Sequence, residues 1–177
     1  MPPRNGLWMF APLLAFLGLA VLLAMSLGRD EELPTAFAGK PLPAMELPSL
    51  MRSGATVTND FFLGHWTLLN VWGTWCPTCY VEHPYLLGLA RSGVRIVGLN
   101  YKDDPVKARE YLAAYGNPFI EVPMDESGRY GIDLGVYGAP ETYVVNPRGE
   151  VVLRYVGELN DRSWEQRFAA VWEQEAE

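Results

Sequence analysis

The chain has 177 residues, 14 of them basic and 21 acidic, for a formal net charge of −7. That size and composition suit one globular domain with an appendage, and the acidic balance argues against nucleic acid, which calls for a basic face. Two cysteines are too few for a disulfide scaffold, and their separation by two residues is redox spacing rather than staple spacing.

Residues 7–27, LWMFAPLLAFLGLAVLLAMSL, are an uncharged apolar run of 21 residues. At about 1.5 Å rise per residue, such a helix spans a roughly 30 Å hydrocarbon core. The run therefore predicts a single-pass transmembrane signal-anchor. Arg4 precedes it, and Arg29, Asp30, Glu31 and Glu32 follow. The free amine and the downstream acids place residues 1–6 in the cytoplasm. The rival is a cleaved signal peptide ending near Ala24-Met25-Ser26, but the apolar part of such peptides is usually only about 7–15 residues. Either reading exports the remainder. Residues 28–38, with Pro34, read as a polar linker, and residues 39–177 as the folded domain.

Within that domain, the prolines at 41, 43 and 48 keep the first stretch extended. Residues 50–59 read as a small hairpin around Ser53-Gly54. Residues 66–72 form a short apolar run that predicts a buried strand, followed by Gly73-Thr74-Trp75-Cys76-Pro77-Thr78-Cys79. Residues 78–91 are helix-compatible, so both cysteines fall at a strand-to-helix junction. Pro77 suits the first helical position, which makes Cys76 the N-cap and puts Cys79 in the first turn. Unpaired N–H groups and the positive dipole end would face the Cys76 sulfur and lower its pKa. The expected chemistry is reversible thiol–disulfide exchange, with Cys76 as the exposed nucleophile and Cys79 as the less accessible resolving thiol. Two other readings stand beside it. The cysteines could be a buried inert pair, or Cys76, Cys79 and His83 could be part of a zinc site. Against zinc, the sequence supplies no further cysteine and only His65 besides. His83 reads as a surface histidine.

Further strands are expected over residues 94–100, 141–146 and 150–155, the last two joined by a turn at Pro147-Arg148-Gly149. Residues 104–115 predict a helix capped by Asp104, opened by Pro105 and ended by Gly116. Residues 119–123 read as a short extended piece and 129–134 as one helical turn. Residues 160–175 predict the last helix, opened by Asn160 or Asp161, with Trp164, Phe168, Val171 and Trp172 on one face. This order implies α/β with a mixed central sheet flanked by helices.

The element order, with Cys-Pro-x-Cys opening a helix, resembles thioredoxin. Trp75 before the first cysteine, Pro84 in the helix and Pro140 after Gly138-Ala139 strengthen the resemblance. The runs LLNVWGTWCPTCYVEHPYL, GLNYKDD, GNPF and DESGRYGIDLGVYGAPETYVVNPRGEVVLRYVGEL narrow it to the DsbE/CcmG family, over residues 39–171. These are membrane-anchored thiol:disulfide interchange proteins of cytochrome c maturation. The resemblance implies a thioredoxin-like fold and a bacterial inner-membrane protein whose domain faces the periplasm. It implies reduction of disulfides in apocytochrome c or its maturation partner, with electrons from a membrane donor of the DsbD/CcdA type. The implied catalytic pair and redox-active disulfide are Cys76 and Cys79, with no other cofactor and no metal. Supporting roles fall to Trp75, Pro77, Thr78, Glu82, Ala139, Pro140 and Glu141, with Ala139–Pro140 in cis and against the cysteines. Trp72 and Trp75 are expected to divide between core and rim. One departure matters. Thioredoxins carry a buried carboxylate six residues before the first cysteine, and here that position is Asn70. Glu82 or Glu141 would take over proton transfer, or the two would form an acidic groove. The motif does not fix the direction of electron flow. An oxidant that installs disulfides therefore stays open, as does a non-catalytic copper or haem chaperone.

Overall fold

The computed structural model describes residues 10–27 and 39–173. The chain divides into two compact units, Met1–Pro34 and Thr35–Glu177. In the first, α1 covers Ala11–Leu27, 17 residues without a charge. Among the described residues no helix is long and apolar enough to cross a membrane. Seventeen residues rise only about 25 Å. Leu7, Trp8 and Met9 of the expected anchor, and the expected linker at 28–38, lie outside the described residues.

The second unit is built on a six-stranded mixed sheet in the order β1-β8-β7-β4-β5-β6. Its strands are β1 Lys40–Pro41, β4 Thr67–Trp72, β5 Ile96–Tyr101, β6 Met124–Asp125, β7 Glu141–Val145 and β8 Glu150–Val156. β4 runs parallel to β5 and antiparallel to β7, with Asn70 opposite Thr142. Period-two alternation divides β4 between two cores. Leu68 and Trp72 join one, with Leu86, Tyr111, Phe168 and both cysteines. Leu69 and Val71 join the other, with Phe62, Tyr130 and Leu134. Helices α2 Pro77–Arg91 and α3 Pro105–Tyr115 pack on the first face, and α4 Arg129–Leu134 on the second. This is the thioredoxin-like layout that the element order implies.

Three elements differ from expectation. The early hairpin pairs β2 Glu46–Pro48 with β3 Thr56–Thr58, so Leu47 faces Val57 and the hairpin begins earlier than residue 50. Residues 119–123 form only isolated bridges, Val97 with Glu121 and Ser49 with Pro123. Pro118 and Pro123 have no N–H to give a ladder, and the regular strand starts at Met124. The last helix is not uniform. Asn160 caps α5 Asp161–Ser163 through a reciprocal box with Ser163. A π-helical turn, Trp164–Phe168, then leads into α6 Ala169–Glu173. The wide turn accompanies a stack of Trp164 on Phe168, centroids 5.5 Å apart.

Gly98, central in β5, has the Phe119 ring across it, and an added Cβ would lie 2.6 Å from that ring. Phe119 in turn stacks on Trp72 at 5.4 Å, so the absent side chain seats the aromatic layer beside the cysteines. Gly98→Ala should destabilise the domain by about 1–3 kcal/mol, the usual cost of overpacking. Urea unfolding should show a lower midpoint with an unchanged slope, and an unchanged midpoint would contradict the packing described.

Candidate active site

The site begins where β4 ends. Cys76 N–H donates to the Gly73 carbonyl at 3.1 Å, closing a tight turn. At Gly73 a Cβ would stand 2.5 Å from Trp75 Nε1, so only glycine lets the indole lie back across the loop. The indole N–H donates to the Tyr101 carbonyl at 2.9 Å. Asp103 holds the same loop from the end of β5. Its carboxylate accepts from Thr74 N–H and Thr74 Oγ1, both at 2.6 Å, and from Asn100 Nδ2 at 3.0 Å. Partial burial opposes its charge, but these bonds and one from the Asp104 amide outweigh it and keep the carboxyl below its usual range.

Cys76 is the N-cap of α2, and Pro77 opens the helix. The two cysteines form a disulfide, with Cα atoms 5.4 Å apart. The Cys79 N–H donates to Cys76 Sγ at 3.1 Å, which gives the first sulfur the amide environment its position predicts. The expected difference in exposure is not present. Cys76 is 2% and Cys79 3% exposed, so in the disulfide both are buried. Pro77 and Thr78 lie exposed beside them. Trp72 is buried between Tyr111 and Phe119, while Trp75 is half-exposed, so the core and rim roles fall to different tryptophans.

Glu82 is not a solvated helix residue. It is 1% exposed. Its carboxyl accepts from Asn70 Nδ2 and from the Leu159 amide, each at 2.9 Å. Cys79, Glu82, His83 and Leu86 are the buried residues of α2, at the i, i+3, i+4, i+7 spacing of one face. Burial pushes the Glu82 pKa up to about 7, the two hydrogen bonds oppose this, and nearby Glu158 adds to the rise. Asn70 also donates to Thr142 Oγ1 at 3.1 Å. The buried carboxyl that thioredoxins carry on the strand is here supplied by the facing helix.

His83 is buried, contrary to the expected surface position, and its imidazole N–H donates to the Gly116 carbonyl at 3.0 Å. Burial lowers its pKa, against the carbonyls of Gly116 and Tyr115, which raise it. Among the described residues no three His, Cys, Asp or Glu side chains are grouped to hold a metal.

Glu141 is fully buried. One oxygen accepts from the amides of Tyr137 and Gly138, at 2.7 and 3.0 Å. The other accepts from Tyr143 Oη and from the Arg154 guanidinium, whose closest nitrogen is 2.8 Å away. With both carboxylates enclosed, the expected acidic groove does not form. Glu141 instead grips the loop that precedes the cis Ala139–Pro140 bond. Ala139 packs on the cluster that contains both cysteines, and the Pro140 carbonyl accepts from Gly157 N–H at 3.0 Å. Asp103 and Arg154 are the residues sequence reasoning left out. Asp103 lies within the Tyr-Lys-Asp-Asp run, but Arg154 reaches the loop only through β7–β8 pairing, opposite Tyr143.

A Glu82 pKa above the unfolded value means that the folded state holds this proton where the unfolded chain releases it. Its contribution to stability is therefore full below about pH 4.5 and is lost as pH rises through about 7. The amount is of order 3 kcal/mol. Glu82→Gln should flatten the decline between those values in denaturant titrations across pH. Parallel profiles for the two proteins would exclude the buried proton.

A family model described as Redoxin matches residues 37–170. The thiol:disulfide interchange protein DsbE of Haemophilus influenzae is 44% identical over 176 residues, covering 96% of this chain and 97% of that protein. DsbE of Escherichia coli is 44% identical over 169 residues, covering 92% and 91%. Among solved structures, a secreted thiol-disulfide isomerase from Corynebacterium glutamicum superposes with a TM-score of 0.64 at 21% identity, over 75% of this chain and 85% of that one. A thio-disulfide isomerase from Thermus thermophilus gives 0.60 at 24%, over 73% and 92%. These two likenesses establish the fold. The kinship is carried by the DsbE sequences, which match over more than nine tenths of both chains, and on that ground the chain belongs to the DsbE thiol:disulfide interchange family.

Proposed function

We propose that the domain is a periplasmic thiol-disulfide oxidoreductase that reduces disulfides of apocytochrome c, or of its maturation partner, so that haem can attach to free thiols. The observation that carries this reading is the Cys76–Cys79 disulfide at the start of α2, with the Cys79 amide directed at Cys76 Sγ. In the reduced protein that amide and the helix dipole favour a Cys76 thiolate. The thiolate attacks one sulfur of the substrate disulfide, and the other leaves as a thiolate. Cys79 then loses its proton and attacks Cys76 Sγ, which releases the second substrate thiol and restores the protein disulfide. Two electrons have passed to the substrate. The exchange needs no cofactor beyond the disulfide itself.

Glu82 is our candidate for the group that takes the Cys79 proton. It lies one turn further along α2 with a pKa near 7, close to the working pH. Glu141, held by Arg154 and two amides, serves to fix the Pro140 loop. That loop offers backbone groups to an extended substrate segment, in the manner of strand addition. Trp75, Pro77 and Thr78 form the rim around the sulfurs. Electrons would return from a membrane thiol-redox carrier of the DsbD/CcdA type.

The protein is proposed to be held in the inner membrane by residues 7–27. α1 is uncharged, and the apolar sequence extends beyond it to Leu7. A reporter fused after Glu177 should be active only if it works outside the cytoplasm; activity of a cytoplasm-only reporter would refute the topology. For the chemistry, Cys79→Ser should accumulate a covalent adduct with its substrate and Cys76→Ser should not. Equal trapping by both would overturn the assigned order of attack. Equilibration of the pair against glutathione should give a reducing potential, whereas a strongly oxidising one would make the protein a disulfide donor.

A further inference from the structure

Thr74 and Trp75 are the two central residues of the turn that Cys76 closes on the Gly73 carbonyl. Both are tied to the end of β5. The Trp75 indole donates to the Tyr101 carbonyl. Asp103 takes the Thr74 amide on one carboxylate oxygen and the Thr74 hydroxyl on the other, both at 2.6 Å. Asn100 Nδ2 at 3.0 Å and the Asp104 N–H at 2.9 Å give each oxygen a second donor. The carboxylate is therefore held on four sides, and the turn is held by the carboxylate.

The chain is bent to bring Asp103 there. Lys102 stands at φ 49°, the only non-glycine residue with a positive φ among the described residues. Lysine seldom adopts this left-handed conformation. Its N–H donates to the Asp125 carbonyl at 2.9 Å, its stem lies against Gly128, and its ammonium is 4.9 Å from the Tyr101 ring centre. Neighbouring segments thus fix the bend, and the next side chain is turned back onto Thr74. Strain over-determined in this way clusters at active sites.

We propose that Asp103 is a positioning residue for the exchange reaction: by holding the turn, it keeps Cys76 Sγ on the Cys79 amide at the start of α2. The inference rests on the reading of Cys76 as the attacking thiol. Position and charge act here in opposite directions. A carboxylate near a thiolate disfavours it. If Asp103 acted only through its charge, neutralising it would make Cys76 more acidic. If it acts by holding the turn, releasing Thr74 lets the sulfur leave the helix terminus, and Cys76 becomes less acidic.

The test uses the full-length protein in detergent, carrying Cys79→Ser so that Cys76 is the one thiol. The pH profile of its alkylation by iodoacetamide gives its acidity constant. The other charges beside the turn, Lys102, Asp104, Lys107 and Glu110, are the same throughout. Asp103→Asn should lower that constant about two- to fivefold, the range of an interaction at a helix terminus. Thr74→Val removes the hydroxyl and leaves the carboxylate charged, and it should lower the constant by a smaller factor. An unchanged or raised constant in Asp103→Asn would overturn the proposal. Should that variant fail to fold, Thr74→Val decides alone, with a lowered constant supporting the role and an unchanged one refuting it. If Cys76 in the parent is no more acidic than a free cysteine, the assigned order of attack fails instead, and the comparison between variants still decides the role of Asp103.

Discussion

β4 is buried at all six of its positions, and the site depends on that constraint. A strand covered on both faces cannot slip by one residue without driving Asn70 and its neighbours into the opposite core. Leu68 and Trp72 lock one face, and Leu69 and Val71 the other. The strand then delivers Gly73 at a fixed height, and three residues later Cys76 caps a helix whose first position is taken by Pro77, where its missing N–H costs nothing. The sulfur of Cys76 meets the amide of Cys79 because both ends of this short connection are pinned.

The same geometry explains why two buried carboxylates behave differently. Glu141 has a guanidinium, a phenol and two amides around its oxygens. Removing one member of such an enclosed ion pair typically costs about 3–5 kcal/mol, so this carboxylate is committed to structure. Glu82 has only two neutral donors, Asn70 and Leu159, and no cation among its hydrogen-bonding partners. Two neutral donors do not repay the desolvation of a carboxylate buried as deeply as this one, and the proton therefore stays on to near neutral pH. The proton-handling role proposed for Glu82 thus rests on where the cation is. Arg154 stands beside the loop and not beneath the helix.

Local chemistry was legible from the residues alone. Cys76 before Pro77 gave the cap and Asp104 before Pro105 gave the start of α3, while the cis bond at Ala139–Pro140 was implied by the resemblance to thioredoxin. What was hidden was set by contacts between distant segments. Glu82 and His83 look like helix-surface residues until α2 is seen against distant segments, where Leu159 supplies an amide to Glu82 from 77 positions away and Gly116 a carbonyl to His83. The stripe Cys79, Glu82, His83, Leu86 did carry the signal, but polar residues within it masked the period. The hairpin shift has a similar cause. Its register is fixed by Leu47 and Val57, and the turn residues lie well inside that pairing.

Gly73 has an effect beyond the turn it permits. Because its missing side chain is what Trp75 leans into, and because Tyr101 takes the indole N–H, the exposed indole is positioned before any partner arrives. Ordering a free side chain at an interface usually costs about 0.5–1.5 kcal/mol. Here that entropy has already been given up during folding. The rim of the disulfide behaves as a rigid template, and the adjustment on docking falls to the incoming chain.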